Sequence, residues 1–153
     1  MTSVNPRRKA RRITLEILYE IDCADRTPQT VLERRVNAEA LSTGSGTFVY
    51  QMVNGVWEYR DVLDVLIEQY APEWPVDQMA IIDRNILRMA IYELMVDRDT
   101  PLKVVINEAV ELAKVYASDS APRFINGVLG TLADHYHELT AAFDAYSSGR
   151  AQI

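Results

Sequence analysis

The sequence predicts an all-α fold of about seven to eight helices set around a central apolar one, and three observations predict it. Glycine and proline together number only twelve of 153 residues. Most of them sit where helix boundaries are expected. Apolar residues recur at three- and four-residue spacing in segment after segment, and no strand-like alternation competes with that pattern.

The first helix is expected from Arg7 to Ala24, where Ala10, Ile13, Ile17, Ile21 and Ala24 form one apolar stripe. At about 100° per residue that stripe covers roughly 80° of the circumference. Thr27-Pro28 reads as an N-cap followed by a first-turn proline, opening a second helix to about Leu41. Ser42 to Gly46 reads as a small-residue loop. A third helical region follows from Thr47 to Tyr70, with a bend expected near Gly55 to Asp61, and Pro72 and Pro75 end it. Met79 to Val96 is apolar nearly all round and has no wide polar face, which marks a helix contacted from several sides. Thr100-Pro101 opens a helix with Leu102, Val105, Ile106, Ala109, Leu112, Ala113 and Tyr116 on one stripe. Ser120 to Pro122 marks the next break, before a helix from Arg123 to Tyr136 on which Phe124, Ile125, Val128, Leu129 and Leu132 share a face. A short last helix is expected from Glu138 to Tyr146. Residues 1–6 and 147–153 are expected to be flexible ends of a single domain, 1–153.

Length alone excludes a large multidomain enzyme and fits one domain. The net charge of −6 argues at first against a nucleic-acid partner. Its distribution reverses that reading, because Arg7, Arg8, Lys9, Arg11 and Arg12 place five cations in the first twelve residues with no acid among them. The remaining 141 residues hold 11 cations and 22 anions, so a +5 tip precedes a −11 body. The lone Cys23 cannot close an internal disulfide and leaves no thiolate zinc site, which points to a reducing compartment. It reads as a small apolar helix residue. No apolar run approaches a bilayer span, and Glu16, Glu20 and Asp22 interrupt anything resembling a signal-peptide core. A soluble cytoplasmic protein with no membrane association is expected.

Arg7, Arg8, Arg11 and Arg12 lie at i, i+1, i+4 and i+5, a band beside the first helix's apolar stripe. Tyr19 falls on the same side, roughly 120° around from Arg7. Guanidinium groups pair with phosphates in bidentate fashion and bases stack on rings, so this pattern suits single-stranded nucleic acid. A solvated basic tail is the competing account. In Arg123-Phe124-Ile125-Asn126-Gly127-Val128-Leu129-Gly130, two helical glycines each cost roughly 1 kcal/mol relative to alanine. They lie opposite the apolar face, beside Arg123 and Asn126, and admit the close approach of a neighbouring helix or of an RNA strand. Lys103, Asn107 and Lys114 make a further polar track, either a solvated face or a continuation of a basic path.

Catalytic signals are poor. His135 and His137 diverge by about 200° on a helix and make a weak metal pair. No nucleophile elbow, phosphate-cradling loop or dinucleotide fingerprint is present, and nothing beside Asn107-Glu108 or Tyr92-Glu93 supplies an electrophile or nucleophile. No enzymatic activity, cofactor or metal is expected.

Taken together, these stretches resemble the NusB family of bacterial transcription antitermination factors. The likeness is clearest over Ile82-Asp83-Arg84-Asn85-Ile86-Leu87-Arg88-Met89-Ala90-Ile91-Tyr92-Glu93-Leu94, then Pro101, then Val105 to Lys114, then Phe124-Ile125-Asn126-Gly127-Val128-Leu129. It also takes in the Arg-rich start, Leu18-Tyr19 and Gly55-Val56. The resemblance implies two small helical bundles that bind the boxA element of ribosomal RNA transcripts together with the ribosomal protein NusE, within a larger assembly of other antitermination factors and RNA polymerase. RNA binding carries over to Arg7, Arg8, Lys9, Arg11 and Arg12, to Tyr70, and to Phe124 and Asn126, with Arg123 and Lys114 as neighbouring cations. The partner-protein surface carries over to Tyr19 and Asp83. One departure stands out: Asp119-Ser120 sits one place earlier than the family pattern, with Ala121 and Pro122 before Phe124. Related domains occur fused to ribosomal RNA cytosine methyltransferases, but this chain ends at Ile153 and is expected to be the free-standing factor. The alternative is a protein-binding helical adaptor without direct RNA contact.

Overall fold

A computed structural model describes residues 5–149. They form eight α-helices and no strand: α1 Pro6–Ala24, α2 Pro28–Glu39, α3 Thr43–Glu58, α4 Arg60–Tyr70, α5 Ile81–Tyr92, α6 Leu102–Tyr116, α7 Ala121–Asp134 and α8 Tyr136–Ser147. A 3-10 turn, Val76–Gln78, precedes α5, and a π-helical turn, Glu93–Asp97, follows it. The chain divides into two compact units, Met1–Glu58 and Tyr59–Ile153. Of the ends expected to be flexible, 1–4 and 150–153 lie outside the described residues. Asn5 caps α1, its Oδ1 accepting from the Arg7 and Arg8 backbone N–H groups at 2.9 and 3.4 Å.

In the first unit α1 packs on α2 and α3, and α2 packs on α3. The expected stripe is buried at Ala10, Ile13, Ile17 and Ile21, while Ala24 is exposed at the helix end. Burial goes further than the stripe, to Thr14, Leu15 and Leu18, because two helices rather than one cover α1. The Arg35 guanidinium donates to Glu16 at 2.6 Å, and Arg34 pairs with Glu20, so α2 is tied to α1 by charge as well as by Val31 and Leu32.

Some boundaries differ from expectation by a few residues, and one expected bend is sharper. Ser42 to Gly46 is not a loop beyond its first residue, because α3 starts at Thr43. The Ser42 hydroxyl accepts from the Ser45 N–H at 3.3 Å, an N-cap that lets the helix begin amid small residues. The bend expected near Gly55 to Asp61 is found, as a full break between two helices at Tyr59, whose φ of −93° and ψ of 10° leave the helical basin. The Tyr59 ring lies 5.3 Å from Phe143 and 6.3 Å from Tyr92, packing that offsets the interruption. The seventh helix starts two residues early, since Pro122 sits in its first turn where a missing N–H costs nothing.

In the second unit α5 is central, packed against α4, α6 and α7. Every residue from Asn85 to Ile91 is buried, as an all-round apolar helix requires. Each fully buried Ile or Leu there contributes about 1.5–3 kcal/mol. Arg88, almost enclosed, donates Nε and Nη2 to Asp64 at 2.7 and 2.8 Å and pins α5 to α4. The paired α6 and α7 close one side, and α8 packs on the π-helical turn. No helix among the described residues is long and apolar enough to cross a membrane.

Candidate nucleic-acid interface

The basic start of the chain is helical, so its cations are fixed in register rather than trailing as a tail. Arg7, Arg8 and Arg12 are exposed and Lys9 is half-buried. Arg11, expected in the same RNA-binding band, differs from its neighbours: it is only 4% exposed, with its guanidinium carbon 5.5 Å from the centroid of the Phe48 ring. Arg7 lies over the same ring at 4.1 Å. Phe48, on α3 and itself buried, thus orients two of the five cations, an arrangement worth roughly 0.5–2 kcal/mol per cation. Charge counting along the sequence had no means of distinguishing the buried arginine from the exposed ones.

Tyr19 is exposed on α1, as its position away from the stripe implies. A side-chain hydrogen bond with Cys23 one turn on, followed by that thiol's charge and by slight burial, raises its phenol above the ordinary value. Cys23 is exposed rather than packed as a small apolar residue.

In the second unit the later motif faces an open groove. One cavity of about 420 Å³ is lined by Tyr70, Pro72, Trp74, Arg123, Phe124 and Gly127, among others. A second, of about 410 Å³, includes Trp74, Gln78, Asp83, Ser120 and Phe124. Both volumes fall in the range of small-ligand sites. The half-buried Phe124 and the exposed Trp74 line both. Segments far apart in sequence, the end of α4, the 71–80 loop and α7, therefore meet at one groove.

Of the two accounts given for Gly127 and Gly130, the neighbouring helix is not seen. A Cβ placed at either meets nothing within 4 Å, so no neighbouring helix among the described residues uses their small size. Gly127 lines the groove while Gly130 does not. The Thr131 hydroxyl donates to the Gly127 carbonyl at 3.0 Å, and the Cα of Gly127 faces open space on the side where a side chain would stand.

Tyr70 is half-buried, its ring centroid 5.9 Å from His135. Burial, then the charge of Glu138, raises its phenol above the ordinary value. Arg123 is exposed at the rim, and Asn126 is exposed one turn along α7. Asp83 is half-buried, and burial raises its carboxyl above the usual range. It shares the second cavity with Phe124, so the residues assigned to protein and to RNA adjoin there. Ser120 lines that cavity too, despite the one-place shift of the Asp119-Ser120 turn. Lys114 stands apart, exposed on α6, bonded to Glu111 at 3.0 Å and lining neither cavity.

Trp74 is the residue that sequence reasoning passed over. The prolines near it read as helix terminators, and a tryptophan held between two prolines in a short loop was the available signal. Elsewhere Glu93 and Glu108, weighed for proton chemistry, are buried, and His135 and His137 are exposed.

A family model, the NusB family, matches residues 8–134. The transcription antitermination protein NusB of Roseiflexus sp. (strain RS-1) is 48% identical over 134 residues, covering 86% of this chain and 94% of that protein. The protein of the same name from Bacillus pumilus (strain SAFR-032) is 38% identical over 126 residues, covering 82% and 93%. Among solved structures, T. maritima NusB superposes with a TM-score of 0.80 at 29% identity, covering 90% of this chain and 100% of that one. A crystal structure of the antitermination factors NusB and NusE in complex with dsRNA shares the fold, at a TM-score of 0.79 and 24% identity over 88% of this chain and 100% of that one. With most of its length matched by the family model and by relatives of nearly equal extent, the chain belongs to the NusB family of transcription antitermination proteins.

Proposed function

We propose that this protein binds single-stranded boxA RNA of ribosomal RNA transcripts together with the ribosomal protein NusE. In the cytoplasm it would act within an assembly containing other antitermination factors and RNA polymerase, supporting processive transcription and catalysing no reaction. The observation that carries the reading is the open groove where Tyr70, Arg123, Phe124 and Gly127 converge. It joins aromatic faces for bases, a cation for phosphate and an uncovered backbone. The NusB in the solved complex with NusE and dsRNA has the same fold, and the relatives' shared name supports the transcriptional setting.

In this reading Arg7, Arg8, Lys9 and Arg12 contact phosphates, and Arg11, packed by Phe48, acts by holding the helix start in place. Phe124 and Tyr70 offer rings, Asn126 a hydrogen-bonding edge, and Lys114 an outlying cation. Tyr19 and Asp83 belong to the surface that receives the basic partner protein. An RNA titration with and without NusE tests the whole. The expected result is salt-dependent binding of boxA RNA that tightens when NusE is added, with double-stranded RNA of the same sequence bound less tightly. Absence of RNA binding at moderate salt, with NusE binding retained, would leave the adaptor reading in its place.

A further inference from the structure

Trp74 is 55% exposed, the most exposed aromatic side chain among the large apolar residues on the described surface. Leaving an indole in water forgoes the burial that usually keeps tryptophan inside. The loop that carries it is nevertheless stiff. Ala71, Val76 and Met79 are buried, the Trp74 N–H donates to the Ala71 carbonyl at 3.1 Å, and Pro72 and Pro75 fix the backbone on either side. The Arg84 Nη1 donates to the Val76 carbonyl at 3.4 Å, tying the loop to α5. A rigid platform of this kind loses little conformational entropy when a flat ligand settles on it.

Trp74 and Phe124 are the two residues that line both cavities. We infer that Trp74 is a base-stacking residue for single-stranded RNA, receiving one nucleobase on its indole in the groove it shares with Phe124. The inference rests on the RNA-binding reading above and extends it to a residue outside the family motifs. RNA fits this place better than a peptide because the groove continues into Tyr70, the Arg123 guanidinium and the uncovered Gly127 backbone, which together offer a π-face, a phosphate partner and room for a sugar-phosphate chain.

The test uses the full chain and fluorescein-labelled boxA RNA. Trp74→Ala is expected to weaken binding by about 5- to 150-fold, the effect of one base–aromatic stack. Trp74→Phe is expected to restore most of the affinity, and the slope of affinity against salt to stay unchanged, since no phosphate contact is lost. Trp57 is the other of two tryptophans, so in a Trp57→Phe background the emission reports Trp74 alone and is expected to be quenched by unlabelled RNA. Wild-type affinity in Trp74→Ala, or unaltered emission on RNA binding, would overturn the inference while leaving the RNA reading intact. Loss of NusE binding with RNA affinity preserved would overturn it in favour of a protein occupant. If the unmodified chain binds no RNA, the broader reading fails and this one with it.

Discussion

Arg7, Arg8 and Arg12 stand exposed on α1, while the groove of the second unit is walled by Tyr70, Trp74 and Phe124 with the Arg123 guanidinium at its rim. The first region offers charge in a fixed helical register. The second offers shape and π-faces. Phosphate attraction is screened by salt, whereas stacking is not, so the two regions would contribute separable parts of one affinity. A net charge of −6 hides the first region, because it sums a basic tip with an acidic body.

The largest expected effect comes from the tip. Replacing Arg7, Arg8 and Arg12 together by alanine removes three cations, and single-stranded RNA loses about 0.7 log units of salt slope per contact. The expected outcome is a slope shallower by about 2 and an affinity lower by about 100-fold at ~0.1 M salt, with the deficit shrinking toward ~1 M. A titration series across salt concentrations measures both. If the variant and the parent give parallel lines, the tip is not a phosphate site and the comparison between the two regions collapses.

A smaller effect separates the two glycines of α7. Both face open space, so alanine at either position should stabilise the helix by about 1 kcal/mol, read by denaturant or thermal unfolding. Only Gly127 lines the groove. Gly127→Ala should therefore raise stability and weaken RNA binding several-fold, whereas Gly130→Ala should raise stability alone. Equal RNA affinity in the two variants would show that the strand does not approach this backbone.

Helix type and number were legible because apolar spacing survives without knowledge of tertiary partners: the stripe through Ala10, Ile13, Ile17 and Ile21 and the all-round burial of Asn85 to Ile91 follow from it. Boundaries were less so. Ser42 caps a helix through glycines that read as loop, and the bend expected near Gly55 to Asp61 is fixed at Tyr59 by a ring contact with the distant Phe143 that no local pattern encodes. For the site, residue identity was legible and environment was not. Arg11 looks like its neighbours in sequence, yet Phe48 draws it under cover. Trp74 looks like the end of a helix, yet the chain returns α7 to its side.

Asp83 gives the smallest and most discriminating prediction, because it lines the same cavity as Phe124 while being assigned to the protein partner. Burial raises its carboxyl above the ordinary 3.8. A group whose folded pKa is raised binds its proton more tightly in the folded state. Its contribution to stability is therefore greatest when protonated and declines as pH rises from 3.8 through the raised folded value. Asp83→Asn removes the titration, so unfolding measured across that window should show the variant gaining on the parent as pH rises, and then a constant offset. Parallel curves would mean that burial does not tax this carboxylate. A cation from a basic partner would relieve the same desolvation, so NusE binding to the parent should tighten over the same pH interval, and binding to the Asp83→Asn variant should not. RNA binding that follows the NusE pattern instead of ignoring pH would show that the acidic edge and the aromatic wall of this groove act as one surface rather than two.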